Sequence, residues 1–226
     1  MTVELITSLE RPVEEIADRM KLDGAEHLNR VMASHGRVLL LTAHLGNWEM
    51  LAMAAQVVGH PLSVVVRPLD APWLDRLVER LRTKLGMDLI DKRAALRPVL
   101  RALAGGRMVA ILLDQNAARR EGVFVPFFGE AASTSKSIAV LALRTRTPVA
   151  PVFIRREPDG THRVIFEPAL PLPEAGEPAE AAILELTARC TRAIESAIRA
   201  RPDQWLWLHD RWRTRPPADR EGERPR

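Results

Sequence analysis

The sequence predicts a single α/β domain with a central mixed β-sheet flanked by helices. Short apolar runs alternate along the chain with longer helical patterns, as strands alternate with crossover helices. Two of those runs stop abruptly at a residue with chemistry to offer: RVLLLTA at His44 and MVAILL at Asp114. In open α/β sheets, ligands bind beyond the carboxyl ends of the strands. With 226 residues the chain buries a core of ordinary size without staples, and its one cysteine, Cys190, excludes an intramolecular disulfide framework or a cysteine-rich zinc site.

Taken in order, the first expected strand is Val38–Thr42, followed by a helical pattern over 48–58. A second strand, Leu62–Val66, leads into a helix over 71–85, and a third over 88–90 into a helix over 94–104 that Gly105-Gly106 closes with a left-handed cap. The run 108–113 is a fourth strand, and 134–144 a helix. Runs 149–154 and 163–167, joined by Glu157-Pro158-Asp159-Gly160, read as an antiparallel hairpin, which makes the sheet mixed. After a proline-rich connection over 168–178, a long amphipathic helix runs from Ala179 to about Arg199 and Pro202 ends it. There is no internal repeat. The domain is expected over 1–215, with 216–226 a disordered tail.

Lysine and arginine number 33 against 29 acidic residues, a net charge of +4. Arginines gather at Arg76/Arg80/Arg82, Arg119/Arg120, Arg155/Arg156 and Arg211/Arg213/Arg215, and such clusters suit phosphate-bearing or acidic partners. They lack the interleaved aromatics or reading motif of a nucleic-acid binder, so no nucleic acid is expected. The amino terminus lacks the pattern of a secretory signal, and no apolar run reaches the roughly 18 residues that would span a bilayer.

His44 is the first candidate for chemistry, because an imidazole accepts and returns a proton near neutrality. Glu49, five residues on, is expected on the first turn of the following helix, folded back to Nδ1 of His44 to fix its tautomer. Asp114-Gln115-Asn116 ends a second strand at the same edge, and Arg67 closes a third. Arg82 lies late in the helix over 71–85. Asn47, or backbone N–H groups at the start of the Trp48 helix, would serve a developing oxyanion. An alternative treats His44, Glu49, Asp114 and His209 as metal ligands of a hydrolase, but their spacing matches no zinc signature, so no metal is assigned.

These residues carry a resemblance. TAHLGNWE, with His44 and Glu49, matches the His-x4-Glu signature of the lipid A biosynthesis (late) acyltransferase family, within the lysophospholipid and glycerol-phosphate acyltransferase superfamily. VVVRPLDAPWLDRLVERLR, LLDQN, VFVPFFGEAASTSKS and QWLWLHDRWRTRP resemble further blocks of the family in the same order. The resemblance implies an acyltransferase-like fold and transfer of a fatty acyl group, from acyl carrier protein or acyl-CoA, to a hydroxyl of a membrane glycolipid such as a lipid A precursor. It implies catalytic roles for His44, Glu49, Arg82 and Asp114, and substrate binding by Asn47, Arg67 and Gln115. No cofactor is implied, and the setting would be the cytoplasmic face of the inner membrane, held peripherally.

Family members carry an additional amino-terminal segment with a membrane anchor, whereas this chain begins close to the catalytic strand. Membrane contact would then fall to apolar surface around the site and to Trp205, Trp207 and Trp212, residues that at this spacing also suit a core. Lysophospholipids and phosphatidylinositol mannosides stay open as acceptors. A non-catalytic lipid- or carrier-binding module stays open as a different class.

Overall fold

The structure, a computed structural model, describes residues 15, 17–68, 71–84, 86–174 and 176–217. The expected disordered tail therefore lies outside the described residues from 218 onward. The elements are β1 (Met20–Asp23), α1 (Ala25–His35), β2 (Val38–Thr42), a 3-10 turn (Trp48–Met50), α2 (Leu51–Val57), β3 (Leu62–Val66), α3 (Pro72–Lys84), β4 (Met87–Asp91), α4 (Leu96–Ala104) and β5 (Met108–Leu112). They continue with β6 (Gly122–Phe127), β7 (Glu130–Ser135), α5 (Ser137–Thr145), β8 (Val149–Arg156), β9 (His162–Phe166) and α6 (Ala179–Ala200).

Among the described residues the main sheet has seven strands in the order β1-β9-β8-β2-β5-β3-β4. Strands β8, β2, β5, β3 and β4 pair in parallel, whereas β9 runs antiparallel to β8 and brings β1 with it. The mixed sheet is therefore as the sequence predicts. Strand β2 lies between β8 and β5 and is buried at all five positions, the reason its sequence is one apolar run without alternation.

Alternate residues of the sheet feed two cores. Leu39, Leu41, Val109 and Ile111 pack with Val99 of α4, Ile138 of α5 and Leu186, Cys190 and Ile194 of α6. Leu40, Met108 and Ala110 pack with Leu28 and Met32 of α1 and Ala54 of α2. Helices thus cover both faces and leave the strand ends open for a site.

Several expectations needed correction. Strand β1, helix α1 and the separate β6–β7 hairpin were not foreseen. Thr134 belongs to β7, and the helix placed at 134–144 begins at Ser137. The pattern at Trp48 opens as a 3-10 turn, with the α-helix starting only at Leu51. After α4 the left-handed residue is Gly106 (φ 74°), because Gly105 keeps a negative φ.

Candidate active site

Strands β2 and β5 pair from Val38 opposite Met108 to Thr42 opposite Leu112, an offset of seventy residues. Two residues beyond the ladder on each strand, that same offset sets His44 beside Asp114. The His44 Nδ1 to Asp114 Oδ1 distance is 2.8 Å. The other carboxylate oxygen, Oδ2, accepts the His44 backbone N–H at 3.1 Å and the indole N–H of Trp205 at 2.8 Å. Asp114 is buried, and burial works against its charge. The hydrogen bond and charge of the His44 ring, with the bonds from Trp205 and the His44 backbone, nevertheless hold its pKa below the usual carboxylate value.

An ionised carboxylate only accepts, so Nδ1 carries a proton, and in the neutral ring Nε2 is then the nitrogen with the lone pair. The side-chain nitrogen of Gln115 stands 3.5 Å from that Nε2, at the limit of a hydrogen bond. The ring is edge-on to Trp48 at 5.0 Å between centroids. With 20% of its side chain accessible, His44 can be reached by a substrate.

Glu49 does not meet His44 as expected. The chain turns at Gly46 (φ 60°), where a Cβ would stand 2.4 Å from the carbonyl oxygen of Ile154. Glu49 then leaves the 3-10 turn toward α3 and accepts two bonds from Arg82, Nε to Oε2 at 2.9 Å and Nη2 to Oε1 at 2.6 Å. Both oxygens are thereby engaged, and Asp114 fills the place at Nδ1 expected for Glu49. Both side chains of this pair are largely buried. Burial disfavours the Arg82 charge, yet the hydrogen bond and attraction of Glu49, aided by Asp75, raise its pKa above the usual value. The four catalytic candidates thus form two pairs, His44 with Asp114 and Glu49 with Arg82.

The substrate-binding candidates are dispersed. Asn47 is buried beneath the turn, Arg67 is exposed just past β3, and Gln115 stands at the imidazole. Because Trp48 opens a 3-10 turn, no α-helix N-terminus begins there to serve an oxyanion.

The segment after α6 carries more of the site than its sequence announces. It crosses the carboxyl edge as a strap: Leu206 N–H donates to the His44 carbonyl at 3.0 Å, and Gly46 N–H to the Gln204 carbonyl at 3.0 Å. Asn116 N–H donates to Nε2 of His209 at 2.9 Å, and Thr214 N–H to Oδ1 of Asn116 at 3.0 Å. Arg211, fully buried, donates to the Ser133 carbonyl at 2.8 Å and to the Thr134 hydroxyl, and lies over the Phe127 ring. Burial pushes its pKa down to about 10 against the opposing pull of Asp114. Trp205 is buried, whereas Trp207 and Leu208 are exposed. His209 and Glu49 are engaged as described, and among the described residues no group of three or more His, Cys, Asp or Glu is placed to hold a metal ion.

A profile of the bacterial lipid A biosynthesis acyltransferase family matches residues 1–214. The lipid A biosynthesis lauroyltransferase of Escherichia coli (strain K12) is 32% identical over 210 residues, 91% of this chain and 65% of the relative. A lipid A biosynthesis acyltransferase of Haemophilus influenzae is 24% identical over 206 residues, 91% of this chain and 63% of the relative. This chain therefore spans somewhat under two thirds of the length of either. The crystal structure of the 1-acyl-sn-glycerophosphate acyltransferase of Thermotoga maritima shows a distant likeness, with a TM-score of 0.46 at 14% identity over 86% of this chain and 81% of that one. By the extent of the family match, which runs from the first residue through the strap, the chain belongs to the bacterial lipid A biosynthesis acyltransferase family.

Proposed function

We propose that the protein transfers a fatty acyl group from a thioester donor, acyl carrier protein in preference to acyl-CoA, to a hydroxyl of a lipid A-type glycolipid. The observation that carries this reading is the His44–Asp114 pair at the carboxyl edge, with Nδ1 engaged by the carboxylate and the His44 side chain still partly accessible. Nε2 takes the proton of the acceptor hydroxyl as its oxygen attacks the thioester carbonyl. Asp114 balances the imidazolium. When the tetrahedral intermediate collapses, the C–S bond breaks and the proton passes from Nε2 to the departing thiolate, leaving an ester and a free thiol. No acyl-enzyme is needed.

In this scheme Glu49 and Arg82 act by holding the turn after β2 against α3. Gln115 meets the acceptor at the imidazole, and Arg67 is a fork for a lipid phosphate. The acceptor belongs to a membrane, and no described helix is long and apolar enough to cross one. We place the reaction at the cytoplasmic face of the inner membrane. The test is transfer of radiolabelled acyl from acyl carrier protein into bacterial lipid extracts by wild type and His44→Ala. Label that enters a lipid A precursor only with wild type supports the reading, and label in a lysophospholipid instead replaces the acceptor. No transfer by the folded protein refutes it.

A further inference from the structure

Asp114 accepts three hydrogen bonds, and only two come from His44. The third comes from Trp205, ninety-one residues along the chain, whose indole N–H reaches Oδ2 at 2.8 Å. Without Trp205, Oδ2 would keep only the 3.1 Å bond from the His44 backbone N–H, so both ends of the carboxylate would hang on one residue. A donor from a separate, rigid segment fixes Oδ2 independently of His44.

Trp205 has the support such a donor requires. It is buried, meets Phe127 and Trp207 edge-on at 5.7 and 4.6 Å between centroids, and pairs by its backbone with Leu45, next to His44. The following residue, Leu206, donates its N–H to the His44 carbonyl. One stretch of strap thus grips both partners, His44 by its backbone and Asp114 by its side chain. Packing alone would not need the indole N–H aimed at the single carboxylate that faces the imidazole.

We propose that Trp205 is a positioning residue of the acyl-transfer site, keeping Asp114 Oδ1 on Nδ1 of His44 so that Nε2 remains the basic nitrogen. The proposal rests on the reading of His44 as general base. It makes the strap after α6 part of the active site.

The test removes the N–H and keeps an aromatic ring. Trp205→Phe should lower kcat about 10- to 100-fold, the cost of a lost hydrogen bond to a charged group, with KM for both substrates within about twofold. Trp73→Phe is the matched control, because Trp73 is exposed on α3 and bonds to neither His44 nor Asp114. It should retain wild-type kcat. In an Asp114→Asn background, Trp205→Phe should cost less than about twofold more, and the same fold loss in both backgrounds would overturn the proposal.

A second readout needs no activity. The His44 Nδ1 proton resonance, followed in histidine-labelled protein, should move in Trp205→Phe and stay in Trp73→Phe. An unmoved resonance in folded Trp205→Phe overturns the positioning role even if wild type proves to transfer no acyl group, an outcome that would refute the function separately. Should Trp205→Phe fail to fold, β-benzothienylalanine at position 205, which has the same shape without the N–H, carries both readouts.

Discussion

His44 and Asp114 stand seventy residues apart in the chain and 2.8 Å apart in space. The reason lies in the sheet, because β2 and β5 are parallel neighbours paired at that same offset along their whole length. Two residues past the last ladder pair, each segment reaches a polar residue at the same offset, and residues in register on parallel strands face the same side. The pair is thus a product of strand register, held by two buried ladders, and needs no long flexible loop to assemble it. That rigidity matters for a proton transfer whose partners must stay within hydrogen-bond reach.

The first prediction concerns that pair. His44→Ala should lower acyl transfer by at least about a hundredfold, the range for a lost general base, and Asp114→Asn by a similar factor through loss of the imidazolium's partner. Initial rates on protein shown to be folded by circular dichroism check this. A rate near wild type in His44→Ala means that the imidazole is not the base, and one in Asp114→Asn means that the carboxylate does not support it.

Glu49 and Arg82 should behave differently, as a buried clasp. Removing one member leaves the other charged and buried, so Glu49→Ala and Arg82→Ala should each destabilise the protein by about 3–5 kcal/mol. The double variant should lose clearly less than the sum, as expected of contacting residues. Urea denaturation of the four proteins measures the coupling, and fully additive losses would show that the two residues act apart.

How far the sequence revealed this arrangement depends on where each signal resides. Strands β2 and β5 announce themselves, because burial on both faces writes a nearly continuous apolar run and the polar stop marks the edge, and β3 does so with Ser63 as its one polar position. The β6–β7 hairpin was hidden. Strand β7 is EAASTS, small and polar, and its turn places both Phe128 and Gly129 at positive φ, which only Gly129 advertises. Glu49 was assigned to the wrong partner because closeness in sequence suggested closeness in space, and the turn at Gly46 sends it to Arg82 instead. Trp205 left no local trace of its role, since its hydrogen bond to Asp114 exists only after α6 has returned the chain to the site.

Gly46 itself gives the next prediction. Its left-handed φ of 60° and the 2.4 Å approach of the Ile154 carbonyl oxygen to a built Cβ both oppose any side chain. Gly46→Ala should cost at least about 1–3 kcal/mol of strain and displace the turn that carries His44. Thermal unfolding together with transfer rates checks it, and an alanine variant matching wild type in both would show that the turn has room.

Acid should loosen the strap through His209. Burial lowers its pKa from 6.5, with Arg213, His44 and Arg211 acting in the same direction and Asp114 opposing them. The neutral ring is the form that accepts the Asn116 N–H. A depressed folded-state value contributes stability that is complete above the unfolded value of about 6.5 and is lost as pH falls through the folded value. Stability should therefore decline as the solution is acidified below about pH 6.5. His209→Gln, which still offers an acceptor, should flatten that part of the profile, and an unchanged profile would assign the loss to other groups.

The last prediction concerns the donor. Two arginine clusters that are distant in sequence meet in the fold: the Arg119 guanidinium donates to the Arg215 carbonyl at 2.9 Å, so the loop after Asp114 and the end of the strap form one basic rim. Arg120 and Arg215 keep their side chains largely exposed there, each with a long, solvent-exposed ion pair, to Glu121 at 3.7 Å and to Glu130 at 3.8 Å. An acidic carrier protein would be steered by such a rim, and exposed charges act over about 8 Å at physiological salt. Arg120→Glu and Arg215→Glu should raise KM for acyl carrier protein several-fold while leaving KM for a short acyl-pantetheine thioester within about twofold. Raising salt should narrow the gap between wild type and variants, because screening removes the contacts the substitutions reverse. If both donors respond equally, the rim acts on the shared pantetheine arm or the acceptor, and carrier-protein docking lies elsewhere.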